Sequence, residues 1–141
     1  MNTRHEILLE QADGPVKKSP DGCYISTGSW NDPFSGKKLV RASDLDVDHI
    51  VPLKWASDHG GLMWSAAKKE RFANDPINLL AVDDGLNQSK GAKGPAHWMP
   101  PNHAFRCEYL GLWQSVLAKY SDLDMTAQET RIFNKQLAAC K

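Results

Sequence analysis

Hydrophobic and polar positions along the chain outline two short strands followed by a helix. Residues 45–51 begin with alternating apolar and polar side chains and end with two β-branched residues before Pro52, and residues 78–82 form a second apolar run. Both lengths and patterns predict short strands. Residues 83–85 follow as a turn into a helix, with one of the two aspartates as its N-cap. The pattern therefore predicts a strand, a strand and a helix in that order.

The rest of the chain is predicted to form a scaffold around this motif. Its expected elements are helices at residues 3–12, 64–74, 103–119 and 126–139, turns and a hairpin at 13–36, and a loop at 91–102. Trp113, Val116 and Leu117 fall at helical spacing, which is typical of core positions. The other four tryptophans are expected in the core as well, and stacking on a nucleic-acid base is the alternative for one of them.

Length and composition fit one folded domain. The chain has 141 residues, 41% of them hydrophobic and 24% charged, which is ordinary for a globular protein. It has no internal repeat, no low-complexity tract and no hydrophobic run of membrane length. We therefore expect a single α+β domain over residues 1–141, with its core motif at about 45–91 and no association with a membrane.

Two segments of the motif carry side chains suited to cutting a phosphodiester with one metal ion. Residues 46–52 read DVDHIVP, and residues 78–91 read NLLAVDDGLNQSKG. Asp48 offers a charged oxygen and Asn87 a neutral carbonyl oxygen, which suit Mg²⁺, with Mn²⁺ as its substitute. Two protein ligands leave such an ion mostly hydrated and open to a phosphate oxygen. His49 is the candidate general base, because histidine is the side-chain type that exchanges protons near neutral pH.

The local geometry adds one expectation and one conflict. Lys90 follows Asn87 by three residues, so on a helix both side chains project from nearly the same face, and Lys90 could hold the substrate phosphate. On a regular strand, however, Asp48 and His49 point to opposite faces. Both reach one site only if the strand ends or distorts there, which Pro52 favours.

At these residues the chain resembles the HNH endonucleases, which share a ββα-metal fold. The Asp-His pair matches the DVDHIVP form found in the HNH domain of RNA-guided DNA nucleases. The resemblance to small, often secreted, bacterial HNH nucleases covers most of the chain, at residues 3–9, 28–36, 72–76, 89–91, 97–101 and 106–109. This ordered series is far more specific than an Asp-His pair alone.

The resemblance implies a role for each residue of the motif. Asp48 and Asn87 would be metal ligands, and His49 would be the general base. Asn78, the central asparagine of the HNH name, would hold the loop between the strands and so orient His49. Lys90 would contact the phosphate or the transition state, and the products would carry 5′-phosphate and 3′-hydroxyl ends. Some relatives have histidines at the positions of Asp48 and Asn87 and bind softer metals, whereas oxygen ligands favour magnesium or manganese over zinc.

Each of these side chains also has a structural interpretation when it is taken alone, as a cap or a turn residue. The other histidines, His5, His59, His97 and His103, have no partner at metal spacing, and we expect structural roles for them. His59 is expected in an exposed turn at residues 58–61. His97 remains a candidate contact to substrate.

Net charge argues against tight nonspecific binding. The chain has 17 basic and 17 acidic residues, whereas nucleic-acid binders are often basic. Bases nevertheless gather near the motif, since Glu108 is the only acidic residue between positions 88 and 120. The candidate substrate contacts are Arg71, Lys90, Lys93 and His97. We expect weak, salt-sensitive affinity for DNA, or placement on DNA by a protein partner.

The three cysteines, Cys23, Cys107 and Cys140, lack CxxC spacing, which argues against a zinc ribbon. An odd count is typical of reduced thiols in a cytosolic protein. The secreted HNH relatives carry cysteines near these positions, so a Cys23–Cys107 disulfide with Cys140 unpaired is the other arrangement. The sequence begins without an apolar signal region, which fits a cytoplasmic chain or a mature secreted form without its leader.

The resulting expectation is a metal-dependent DNA endonuclease, acting as a monomer or weak dimer, with RNA as the other substrate class. It would either nick one strand or cut both. Two further function classes stay open. One is a nucleic-acid-binding module that has the scaffold but no hydrolytic activity, and the other is a partner-dependent component of a phage or restriction assembly.

Overall fold

The computed structural model describes residues 2–140 and mixes helices with two antiparallel sheets. Its strands are β1 (Lys17–Lys18), β2 (Ile25–Asn31), β3 (Lys38–Arg41), β4 (Leu45–His49) and β5 (Leu79–Asp83). Its α-helices are α1 (Thr3–Gln11), α2 (Leu53–Ala56), α3 (Ala66–Ala73), α4 (Asp84–Lys90), α5 (Arg106–Lys119) and α6 (Ala127–Ala138). The predicted α+β class is confirmed.

The predicted strand-strand-helix motif is present. Strands β4 and β5 pair antiparallel, with Asp48 opposite Leu80 and His49 opposite Leu79. Helix α4 follows β5 directly and packs against both strands; its N-cap is Asp83, which accepts a hydrogen bond from the Leu86 backbone N–H. Strand β4 ends at His49, two residues earlier than predicted. At this point the backbone carbonyls of His49 and Ile50 accept hydrogen bonds from Lys90, a buried residue of α4.

One hydrophobic cluster joins α1 and the three-stranded sheet to one side of the β4–β5 pair. The sheet has the order β1-β2-β3, and α1 begins at the N-cap Asn2, whose side chain accepts from the His5 backbone N–H. The buried members are Ile7, Leu8, Ile25, Trp30, Ala42, Leu45, Leu79 and Ala81. The predicted hairpin within residues 13–36 covers only β1 and β2, because the third strand lies beyond it.

A second cluster joins α2, α3, α5 and α6 to the motif. Trp55 and Trp113 are buried in it with their rings edge to face, 5.0 Å apart, and Trp64 and Trp98 pack against it while partly exposed. Trp30 is buried in the first cluster. The expected core role of the tryptophans is confirmed for the three buried ones. Among residues 2–140, no helix is both long and apolar enough to cross a bilayer.

The segment after Pro52 is helical, which the sequence did not predict. Helix α2 continues into a π-helical turn at Ser57–Gly61, where Gly60 has φ of 126° and a Cβ would lie 2.3 Å from the Asp122 backbone oxygen. The prediction of an exposed turn here is wrong for His59. Its ring stacks on Trp55 at 3.7 Å, and its Nε2 lies 2.9 Å from Glu129.

A disulfide joins the C-terminal helices. Helices α5 and α6 pack together, and Cys107 and Cys140 are bonded with their Cα atoms 5.7 Å apart. Cys23 is exposed and is the free thiol among the described residues. The suggested Cys23–Cys107 pairing is therefore wrong, because α6 carries Cys140, and not Cys23, to the start of α5.

Candidate functional site

Asp48 and Lys90 form a buried ion pair at the centre of the motif. The Lys90 Nζ donates to the two carboxylate oxygens of Asp48 at 2.9 and 2.7 Å, and also to the backbone oxygens of His49 at 2.7 Å and Ile50 at 2.8 Å. Burial raises the pKa of the Asp48 carboxyl, and the Lys90 ammonium opposes that rise. Burial likewise lowers the pKa of Lys90. The ammonium thus occupies a cage of four oxygens.

This arrangement corrects the expectation that Lys90 contacts a phosphate. Its side chain is fully buried, and its three N–H groups already face four oxygen acceptors. A substrate phosphate therefore has no access to the ammonium. Lys90 and Asn87 lie on one helix as predicted, but Lys90 points into the protein, where it holds the end of β4.

His49 points to the other face of β4 from Asp48, as a regular strand requires. Its ring is partly buried, and Nε2 lies 2.8 Å from the Ala73 carbonyl oxygen at the end of α3. A carbonyl oxygen only accepts hydrogen bonds, so Nε2 carries the hydrogen. In the neutral ring Nδ1 is then the atom with a free lone pair, and it is the atom able to accept a proton.

Asn78 lies at the turn that follows His49. It is fully buried, and its amide pairs with both backbone groups of Val51: Oδ1 accepts from N–H at 2.7 Å and Nδ2 donates to the carbonyl oxygen at 3.0 Å. The Asn78 backbone oxygen accepts from the Ile50 N–H at 2.9 Å. Asn78 thereby fixes Ile50 and Val51, the two residues directly after His49.

Asn87 lies on α4 and reaches across to β4. Its Nδ2 donates to Asp46 Oδ2 at 3.1 Å. Asp46 was not among the residues singled out from the sequence. The sequence did offer one indication of Asp46. Residues two apart on a strand share a face, so Asp46 lies on the same face of β4 as Asp48.

Asp48, His49 and Asn87 line the same cleft, which has a volume of about 310 Å³. Its remaining walls are Val47, Pro52, Leu53, Lys54, Gly91 and Ala92. The end of the strand brings Asp48 and His49 to one opening even though they leave β4 on opposite faces. Strand β4 ends at His49, three residues before Pro52, so both residues lie at the end of the strand, where the sequence predicted it to end or distort.

The donor set of this cleft fits a hard divalent cation. Asp48 and Asn87 supply oxygen atoms, and each Asp48 oxygen retains a lone pair beyond the one that Lys90 uses. Within residues 2–140 no group of three or more His, Cys, Asp or Glu side chains is arranged to hold a metal. The described residues thus form no site of several His or Cys side chains, and carboxylate and amide oxygens completed by water are the donors that Mg²⁺ takes.

The structure does not bring the other candidate residues into this cleft. Arg71 is exposed on α3 and lines a separate surface cavity of about 660 Å³, together with Lys68, Lys119 and Tyr120. We call it the basic cavity after Lys68, Arg71 and Lys119, although Asp75 also lines it. Its lining includes Asn74, which follows Ala73 in the sequence. Lys93 is exposed beside the cleft wall, where its Nζ donates to the Ser89 backbone oxygen at 3.3 Å.

His97 is exposed in the loop before α5, and it is not part of the cleft wall. Its backbone N–H donates to the Gly94 carbonyl oxygen at 3.0 Å, which places it in a turn. The neighbouring Trp98 donates from Nε1 to Ser89 at 3.3 Å and packs edge to face on Phe34. The loop is therefore anchored to the core through Trp98, with His97 facing outward.

Comparison with known proteins places the chain in a family of nuclease domains. Residues 4–135 match the family described as GmrSD restriction endonucleases, C-terminal domain, and the chain belongs to that family. An uncharacterized secreted protein from Arthroderma benhamiae is 38% identical over 141 residues, which cover 99% of this chain and 68% of that protein. No solved structure matches the chain significantly. The family supports nuclease chemistry in the broad sense.

Proposed function

We propose that this chain is an HNH-type endonuclease that hydrolyses phosphodiester bonds in DNA with a single Mg²⁺ ion, for which Mn²⁺ substitutes. The observation that supports this most directly is the cleft that Asp48, His49 and Asn87 share, because it places side chains with oxygen donors near a histidine. Membership in a restriction endonuclease domain family agrees with the same chemistry.

His49 is the general base of the proposed reaction. Because the Ala73 carbonyl holds Nε2 in its protonated form, Nδ1 takes the proton from the attacking water. Asn78 keeps the following turn in place through Val51, so it acts as a positioning residue for the strand end that carries His49. A base held in this way contributes about 10²–10⁴-fold to the rate.

Asp48 and Asn87 would hold the metal ion. When bound, such an ion screens the charge of the phosphate and stabilises the departing oxygen. Lys90 fixes the Asp48 carboxylate and the carbonyl of His49, the last residue of β4, so it also acts as a positioning residue. Its ammonium neutralises Asp48 before any metal arrives, which predicts modest metal affinity.

DNA is the proposed substrate, with Arg71 as a contact to the backbone. The basic cavity adjoins the segment that holds His49, so a phosphate flanking the cleaved bond could lie there. Lys119 and Lys68 are each paired with an aspartate, at 2.6 and 3.0 Å, whereas Arg71 makes no ion pair among residues 2–140. Lys93 and His97 are secondary candidates, both exposed and neither part of the cleft wall. This partly neutralised surface agrees with weak, salt-sensitive affinity.

Secretion is the proposed location. The Cys107–Cys140 disulfide is typical of an oxidising compartment, and the Arthroderma relative is described as secreted. The second candidate function is a cleavage domain that acts within a larger assembly. It is favoured by the family description, which names a C-terminal domain, and by the exposed Leu62 and Met63 between α2 and α3.

Cleavage of a supercoiled plasmid in Mg²⁺ tests the proposal. Wild type should convert the plasmid to nicked or linear forms, EDTA should stop the reaction, and His49→Ala should abolish it while binding Mn²⁺ normally. His103→Ala is the matched control, because His103 is exposed and outside the cleft. Equal cleavage by His49→Ala would exclude the assigned base, and inactive, folded wild type would favour the assembly-dependent alternative.

A further inference from the structure

Asp46 is a charged residue of the motif to which neither the metal nor the base assignment gives a role. It lies two residues before Asp48 on β4 and faces α4, where its Oδ2 accepts the hydrogen bond from Asn87 at 3.1 Å. Asp46 is not part of the cleft wall, whereas Asn87 is. Asp46 therefore contacts the proposed ligand without lining the cleft itself.

The chemistry of this contact selects one orientation of the Asn87 amide. An asparagine side chain has donors at Nδ2 and an acceptor at Oδ1, and either end can face a given neighbour. A carboxylate only accepts, so the reversed amide would place two oxygen atoms against each other. Asp46 thus holds Nδ2 to itself and leaves Oδ1 for another partner.

We infer that Asp46 is a positioning residue that directs the Asn87 carbonyl oxygen toward the metal, an inference that rests on the proposed function. The two ligands are then held in parallel ways, since Lys90 fixes Asp48 and Asp46 fixes Asn87. Partners of this kind, behind a metal ligand, typically change metal affinity about 10–100-fold when they are removed.

The first test is the affinity for Mn²⁺, measured by calorimetry on wild type, Asp46→Ala and Asp46→Asn. Asp46→Ala should bind Mn²⁺ about 10–100-fold more weakly. Asp46→Asn should stay within a few-fold of wild type, because an amide oxygen at position 46 can still accept from Asn87. Asp44→Ala is the control, since Asp44 lies two residues earlier, is partly exposed, and within residues 2–140 forms its ion pair with Arg41.

The second test needs no metal. The side-chain amide signal of Asn87 in a ¹⁵N-correlation spectrum, assigned by its loss in Asn87→Ala, should shift and broaden in Asp46→Ala but not in Asp44→Ala. Unchanged Mn²⁺ affinity and an unchanged amide signal in Asp46→Ala would overturn the inference while leaving the proposed nuclease intact. Equal losses of Mn²⁺ affinity in Asp46→Asn and Asp46→Ala would also overturn the inference. They would show that Asp46 acts through its charge and not through its hydrogen bond to Asn87. Absence of Mn²⁺ binding by wild type would instead remove the proposed metal site itself.

Discussion

Lys90 and Asp48 lie on different elements, 42 positions apart in the sequence, and their charged groups meet at 2.7 Å in the interior. Desolvating two charges costs free energy, and this cost is offset only when the geometry is good and the remaining hydrogen-bonding groups are satisfied. Here the ammonium also binds two backbone carbonyls, so the pair organises the strand end from which His49 projects.

Replacing Lys90 with Met should strongly destabilise the protein. The change leaves the buried Asp48 without its cation, and breaking such a pair costs about 3–5 kcal/mol. Chemical denaturation monitored by tryptophan fluorescence would measure this loss of stability. Lys93→Met is the control, because Lys93 is exposed and its replacement should change the free energy of unfolding by less than about 0.5 kcal/mol. Adding Asp48→Asn to Lys90→Met should recover part of the loss. A Lys90→Met protein as stable as wild type would show that the pair does not hold the strand end.

Replacing Asn78 with Ala should reduce both stability and cleavage. The change leaves the buried N–H and carbonyl of Val51 without partners, at about 1–3 kcal/mol for each group. Cleavage should fall at saturating metal, because the turn after His49 loosens while both proposed ligands remain. Asn31→Ala is the matched control on the exposed side of β2. A variant with the stability loss but wild-type cleavage would restrict Asn78 to a structural role.

Much of this motif could be predicted from sequence because its signals are local. The apolar runs give β4 and β5, and the N-cap signal after β5 gives α4. What could not be predicted depends on contacts between distant segments. Lys90 at a helical spacing from Asn87 looks solvent-facing, and only the packing of α4 against β4 shows that it points inward.

The remaining errors have the same origin. Ser57–Gly61 reads as an exposed turn because of its two glycines, yet the approach of the Asp122 backbone makes it a close-packed helical turn. The disulfide partner of Cys107 is decided by the packing of α5 on α6, which no spacing of cysteines reveals. Asp46 was overlooked because its partner, Asn87, is 41 positions away.

Removing the disulfide should lower stability without changing the site. The bond closes a loop with a sequence separation of 33 residues, for which the chain-entropy relation gives about 3–4 kcal/mol. Cys140→Ser should therefore unfold at lower denaturant and should still cleave DNA at low temperature. Cys23→Ser is the control, because Cys23 is exposed and free. Equal stability of the two variants would argue that the disulfide does not form in solution.

The stability contributed by Asp75 should disappear in acid. Burial tends to raise the pKa of Asp75, but hydrogen bonds from Lys119 and Tyr120 outweigh it and hold the pKa below its usual value. Burial and Asp75 raise the pKa of Tyr120 to about 12, so Tyr120 stays a donor throughout. In the unfolded chain the carboxyl has a pKa of about 3.9, so as pH falls it binds a proton before the folded carboxyl does. Acid therefore favours the unfolded state, and the stability from Asp75 is complete above about pH 5 and is lost below it.

Comparing wild type with Asp75→Asn across pH would measure this contribution. The difference in free energy of unfolding between the two proteins should be constant between about pH 5 and 8, because the carboxyl stays ionised there. It should shrink as pH falls below about 4. Asp124→Asn, at an exposed aspartate near the C-terminal helix, is the control for the substitution itself. If the difference in free energy of unfolding stays the same in acid, Asp75 acts through its shape and hydrogen bonds and not through its charge.

Replacing Arg71 with Ala should weaken DNA binding in a salt-dependent way. Arg71 is exposed on the basic cavity beside the segment that holds His49, and it has no ion pair in the described structure. Loss of one phosphate contact should reduce the slope of log affinity against log salt by about 1. Binding of a labelled duplex to the His49→Ala protein would measure this without cleavage. Arg131→Ala, an exposed arginine on α6 outside that cavity, should leave the slope unchanged. Equal slopes for all three proteins would place the DNA on another face.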